Sequence, residues 1–347
     1  MHYRDLAVLI AVVVIVFRAL AADGQAVVQP VSAGTWTLPR TVDGQPDLQG
    51  VWVSNTATPL ERPAALAGRE RLTDEEVATL RERAERIFRN GRSAFTTPEG
   101  AFFAAFNNIE TYEAQSTISS VGMVDLEFIN RTSLVVDPPD GRIPPLTPQA
   151  QQREAAVAAG WERKAGPEDF NSIHRCITTG VPRLGGNFGA GPYTYYQIVQ
   201  TPGYVVIIME AFHEARIVPL DGRPHLPARI RQWNGDSRGH WEGDTLVVDT
   251  RNFSSQSYFR GATEGLHLVE RFTRTAHDTL TYRMTFTDPT TWATAWTAEI
   301  PLKGRDEPIY EFACHEGNRS IVGMLTTARL EEADAKDAAN SGLRRTR

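Results

Sequence analysis

Residues 266–287 read LHLVERFTRTAHDTLTYRMTFT. Apolar and polar side chains alternate along Leu266–Thr273 and again along Thr279–Thr287, with Ala276-His277-Asp278 between them. Successive side chains on a strand point to opposite faces, so a period of two marks a half-buried strand. Two such runs across a short polar break predict an antiparallel hairpin.

The pattern extends in both directions. Tyr195–Gln200 and Tyr204–Pro219 are rich in Tyr, Val and Ile and flank a Pro202-Gly203 turn. Arg229–Trp233 precedes the turn Gly235-Asp236-Ser237. His240-Trp241, Glu242-Gly243-Asp244 and Thr245–Thr250 read as a second hairpin. Trp292–Leu302 and Ile309–His315 follow, and Asp47–Val53 is the first strand. At least eight strands at regular spacing predict a mostly β (α+β) fold, an antiparallel β-barrel or sandwich. Two helices interrupt the β order. Thr73 and Glu76 form a capping box for a helix near 73–90, which Asn90-Gly91 would stop. Thr147-Pro148 opens a helix over 148–164. Residues 22–46 read as an extended arm and 47–330 as a single β-rich domain. The charged segment 331–347 reads as a flexible tail.

The N-terminus has the pattern of a secretory signal peptide over residues 1–21. Arg4 gives the positive region, Leu6 to Phe17 is an unbroken apolar run, and Ala19-Leu20-Ala21 is a small-x-small cleavage pattern. That run is too short for a membrane span, which needs roughly 20 apolar residues. The expectation is an exported protein, periplasmic or extracellular, with no membrane span after cleavage. The net charge of −6 argues against a nucleic-acid partner, which would call for a basic surface. The two cysteines, Cys176 and Cys314, suggest one disulfide in an oxidising compartment, with two separate buried thiols as the alternative.

Two resemblances follow from short stretches. Gly50-Val51-Trp52 at the start of the first strand resembles the Gly-x-Trp signature of lipocalin-like (calycin) barrels, in which the Trp closes the barrel floor. The stretches RQWNGDSRGHWEGDTLVVD, from Arg231 to Asp249, and YEFACHEGN, from Tyr310 to Asn318, resemble a large set of exported proteins of environmental bacteria. The second resemblance implies export and a shared fold, and carries over no catalytic residue.

Three motifs compete for the chemistry. Gly235-Asp236-Ser237-Arg238-Gly239 matches the G-x-S-x-G nucleophile elbow, with Asp288 and His315 later in the chain. That elbow needs a helix after the serine, whereas a β-hairpin follows here. His174, His213, His240 and His315 are the candidates for a metal gathered from several strands, but no H-E-x-x-H is present. Gly185–Gly191 lacks the spacing of a dinucleotide or phosphate loop, so no cofactor is expected.

Strand parity supplies a further clue. Glu270 shares a face with Leu268 and Phe272, and Glu210 with Ile208 and Phe212. A carboxylate on an apolar face needs a partner or a shifted pKa. The expectation is a pocket for a small, partly apolar molecule. Acid–base chemistry there, of hydrolase, isomerase or cyclase type, would use Glu270 or Glu210 with His213, His240 or His315, and Arg238. Ligand contacts would come from Arg175, Arg216, Trp241, Arg271, Trp296 and Glu311. The alternatives are a serine hydrolase using Ser237, a binding protein without turnover, and a structural or surface protein with a filled core.

Overall fold

A computed structural model describes residues 36–88, 98–109, 126–178, 180–181, 194–212, 214–257 and 259–345. The strands are β1 (Gly50–Val53), β2 (Val135–Asp137), β3 (Tyr195–Thr201), β4 (Tyr204–Met209) and β5 (Ala215–Pro219). They continue as β6 (Asp236–Glu242), β7 (Thr245–Arg251), β8 (His267–Ala276), β9 (Thr279–Thr287) and β10 (Trp296–Arg305). All belong to one antiparallel sheet in the order β5-β4-β3-β1-β10-β9-β8-β7-β6, with β2 also paired to β10. The fold is thus mostly antiparallel β, as the alternation predicts.

The two edges, β5 and β6, meet through side chains rather than a backbone ladder. Gly239 on β6 shows how close they come. A Cβ there would lie 2.7 Å from Leu220 and 2.8 Å from Val218, so only glycine fits against the end of β5. The sheet curls in this way around one core. Register places Leu268, Glu270 and Phe272 of β8 opposite Phe286, Met284 and Tyr282 of β9. The same face continues on β10 as Trp296, Ala298 and Ile300. Phe286 stacks on Trp296 with ring centroids 4.0 Å apart, and Trp292 meets Trp296 edge-on at 5.5 Å. Trp52 is buried in this core, and its indole N–H donates to the Leu48 carbonyl at 2.9 Å.

The helices among the described residues are α1 (Asp74–Phe88), α2 (Pro98–Phe106), α3 (Pro148–Arg163) and α4 (Ser320–Arg345). The Thr73–Glu76 capping box is formed at both bonds, 3.2 and 2.8 Å. The Asn90-Gly91 stop lies outside the described residues. Leu72, Val77, Leu80 and Ala84 join Phe102, Ala105 and Phe128 in a second apolar cluster. On α3, Thr147 caps the N-terminus by accepting from the Ala150 amide at 3.2 Å.

Several expectations need correction. Tyr204–Pro219 is not one strand but the β4–β5 hairpin, turned around Phe212 at φ +60°. Arg229–Trp233 is no strand; its backbone makes an isolated bridge from Gln232 to Phe253, and the Trp233 carbonyl accepts from Ser257 Oγ at 2.6 Å. Ile309–His315 likewise makes one bridge, Ala211 to Phe312. The 331–347 segment is not a flexible tail as far as Arg345, because α4 runs through it. Its Ala, Glu, Lys and Arg content favours helix although residues 331–339 are exposed. The signal-peptide reading, His213 and the Gly185–Gly191 loop fall outside the described residues. Of residues 22–46, only 36–46 are described, with a bridge between Arg40 and Pro46. No helix among the described residues is long and apolar enough to cross a membrane.

Candidate functional site

Glu270 lies on the inner face of β8 with no exposed surface, as its parity with Leu268 and Phe272 predicts. Its partner is Arg216 on β5, at the opposite edge of the sheet rather than on a neighbouring strand. The guanidinium grips both carboxylate oxygens, Nη1 to Oε1 at 3.0 Å and Nη2 to Oε2 at 2.5 Å. The Tyr282 hydroxyl donates to Oε1 at 2.5 Å. Arg216 Nη2 also reaches Ser237 Oγ and Thr250 Oγ1, each at 3.2 Å, and these two hydroxyls meet at 2.9 Å. The network therefore ties β5 to β6, β7, β8 and β9 through the interior.

Its electrostatics are those of a closed ion pair. Burial opposes the Arg216 charge, but the Glu270 carboxylate and its hydrogen bonds hold the guanidinium pKa above its ordinary value. Burial, and then the adjacent carboxylate, pushes the Tyr282 hydroxyl well above the ordinary tyrosine value. Tyr282 thus stays a neutral donor. The free space beside Arg216 and Tyr282 is about 10 Å³, bounded by Val181, Tyr196, Ile207 and Met209. That holds about one water and no reactant. In this form the Arg216–Glu270 pair cross-links the sheet from within.

The other expected residues do not gather around them. Glu210 lies beyond the end of β4 on the outer side, shared with half-buried Ile208, and accepts from the Tyr310 amide at 3.1 Å. Past the end of the strand, Phe212 packs against the main core and meets Phe312 edge-on at 5.8 Å. Arg238 and His240 point outward from β6. Arg238 bonds Asp236 at 2.6 Å, and His240 bonds Glu242 at 3.0 Å. Arg271 also points outward, to Glu242 at 2.8 Å. His315 and Glu311 are exposed. Trp296 is wholly buried in the aromatic stack, and Trp241 is half-buried against the core at the β6 edge. Ser237 sits inside β6 rather than on an elbow. Asp288 is taken up by Thr290 and Thr291, each at 2.7 Å. Among the described residues no group of three or more His, Cys, Asp or Glu is placed to hold a metal ion.

Arg175 leads to a different site. It lines an open groove of about 760 Å³ outside the sheet, between α3, residues 168–175, Trp233 and residues 255–257. Val157, Gly160 and Trp161 form one wall, where the small side chains of Ala156, Ala158 and Gly160 leave room. Phe170 is buried beside Trp161, with the rings edge-on at 5.5 Å. His174 packs on the same indole at 5.0 Å, and burial lowers its pKa. Arg175 is three-quarters buried, and its carboxylate partner among the described residues, Glu168, stands 3.9 Å away. Ser172, Trp233, Ser257 and Thr263 also border a cavity of about 20 Å³ that runs toward Phe253 and Phe259. The Cys176–Cys314 disulfide, with Cα atoms 5.7 Å apart, closes the 168–176 wall against the 310–318 segment. Cys176 has a φ of +52°, and Asn318 donates to its sulfur and to the His174 carbonyl.

Three of the groove's segments lie far apart in sequence, which hid it from motif and parity reasoning. The one local signal was a helix whose exposed side mixes Ala and Gly with a Trp.

No protein-family model and no curated protein matches this chain. Among solved structures it is similar to a mutant of the fluorescent protein UnaG, at 13% identity and a TM-score of 0.23. The match covers 39% of this chain and 87% of that one. A likeness of that extent carries no argument about function.

Proposed function

We propose that the protein is an exported binding protein for a small, partly apolar molecule, and that the ligand sits in the groove beside α3. The groove itself carries this reading. Its volume of about 760 Å³ lies in the range of ligand sites, roughly 300–1,000 Å³, and few comparable spaces occur per protein. Its walls combine aromatic surface from Trp161 and Trp233 with many polar and charged groups, among them Arg153, Glu154, Glu168, Asp169, Asn171 and Arg175. Binding is favoured over turnover because Glu270, Arg216 and Tyr282, the expected acid–base groups, lie outside the groove.

An anilinonaphthalene dye, which brightens in apolar surroundings, is a suitable probe. Aromatic anchors contribute on the order of 2 kcal/mol or more to binding. Trp161→Ala and Trp233→Ala are each expected to weaken dye binding roughly tenfold or more, with thermal melts confirming that the fold persists. Unchanged affinity in the double variant would remove the groove from consideration. Mass spectrometry of small molecules carried through purification would then identify the natural ligand.

A further inference from the structure

The connection from β5 to β6 is held in an unusual way. Of residues 221–232, only His225 is not exposed. The segment has no apolar anchor in the core; Leu226 and Ile230 are both exposed. A segment so placed has low local stability unless polar contacts fix it.

Asn252 bonds the Leu226 carbonyl at 2.8 Å and Arg231 bonds the Phe253 and Glu264 carbonyls, and His225 adds two bonds to carboxylates. Its Nδ1 lies 3.0 Å from Asp236 Oδ2, and its Nε2 lies 3.0 Å from Asp249 Oδ1. Only an imidazolium donates from both nitrogens; a neutral ring turns one lone pair toward a carboxylate oxygen. The groups facing it are known on every side. On β6, Arg238 bonds Asp236 at 2.6 Å and the Pro224 carbonyl at 3.0 Å. On β7, Arg251 bonds Asp249 at 2.9 and 3.2 Å. On β8, His267 bonds Asp249 at 2.9 Å. Within the segment, Asp221 and Arg223 pair with each other.

The contact reaches the groove by a short route. Asp236 also accepts from the Leu226 amide at 2.8 Å and stands three residues after Trp233. Asn234, between them, accepts from Thr178 Oγ1 at 2.9 Å, next to the 168–176 wall. We propose that His225 is a proton-operated latch: charged, it donates to both Asp236 and Asp249 and clamps the β5–β6 connection to the sheet; neutral, it gives up one of those bonds and loosens the connection.

The direction follows from the donor count. The clamp is complete on the acid side and is lost as pH rises and the second proton leaves. Asp249 does not undo it under mild acid. Burial works to raise its pKa, but the bonds from His267 and Arg251 hold it well below the ordinary aspartate value. The latch stands independently of what the groove binds.

Hydrogen exchange at the Leu226 and Ile230 amides tests it directly, since the first donates to Asp236 on β6 and the second to the Pro227 carbonyl within the segment. Rates corrected for the intrinsic pH dependence of exchange would be followed from about pH 5 to 8, where imidazoles change charge. The expected result is a loss of protection of roughly tenfold across that range, the size of one charged hydrogen bond. His225→Phe, which has no donor at any pH, should show low protection at all pH values. His267→Gln should keep the pH response. Flat protection in the wild-type protein, a persisting response in His225→Phe, or loss of the response in His267→Gln would each overturn the proposal.

Discussion

Glu270 and Arg216 show what a buried ion pair does here. Two charges leave water only if their mutual geometry compensates the desolvation, and here the fork-to-fork contact is completed by Tyr282, Ser237 and Thr250. Removing one partner leaves the other buried and uncompensated. Glu270→Gln is therefore expected to lower stability by about 3–5 kcal/mol in denaturant titrations. Replacing both, as Arg216→Met with Glu270→Leu, should cost less than either single change. A Glu270→Gln protein of wild-type stability would contradict the strut. At this scale parity was informative for Glu270 and misleading for Glu210. Alternation tells which residues share a face but not which face is inside. Glu210 stands past the end of β4 on the side of half-buried Ile208, and the turn at Phe212 ends the alternation there.

Among the elements, the hairpins from β6 to β9 were legible because alternation and turn residues agree there. The β4–β5 turn was not, since Glu210–Glu214 contains neither Gly nor Pro and the reversal rests on Phe212 at positive φ. The segment 229–233 has strand-like residues but stays outside the sheet, held by the contacts of Arg231 with the Phe253 and Glu264 carbonyls. α2 was missed because its apolar run, Ala101–Phe106, is only six residues and has no polar positions to show a helical period. The disulfide belongs to this scale, because it joins two segments without a shared ladder. Its 138-residue separation would contribute about 4–5 kcal/mol by loop-closure entropy. Both cysteines should resist alkylation until the protein is reduced, and reduction should lower the melting temperature. Ready alkylation of the untreated protein would refute the pairing.

For the whole molecule, the sequence pointed to a curled β-sheet but not to where space remains. Side-chain volumes decide that. Phe286, Trp292 and Trp296 fill one part of the interior, and Phe272, Tyr282 and the ion pair another. The groove arises instead where α3 stands off the sheet. Export is a separate expectation at this scale. Secreted material should begin near Ala22 on N-terminal sequencing, and a cytoplasmic protein that retains Met1 would refute it.

The central claim is that this protein keeps its ligand outside a filled sheet. A crystal structure of the protein soaked with the anilinonaphthalene dye tests it most directly. The predicted result is dye density between Trp161 and Trp233, with the Arg216–Glu270 pair undisturbed. Density inside the sheet against Tyr282 and Glu270, with that pair parted, would contradict it.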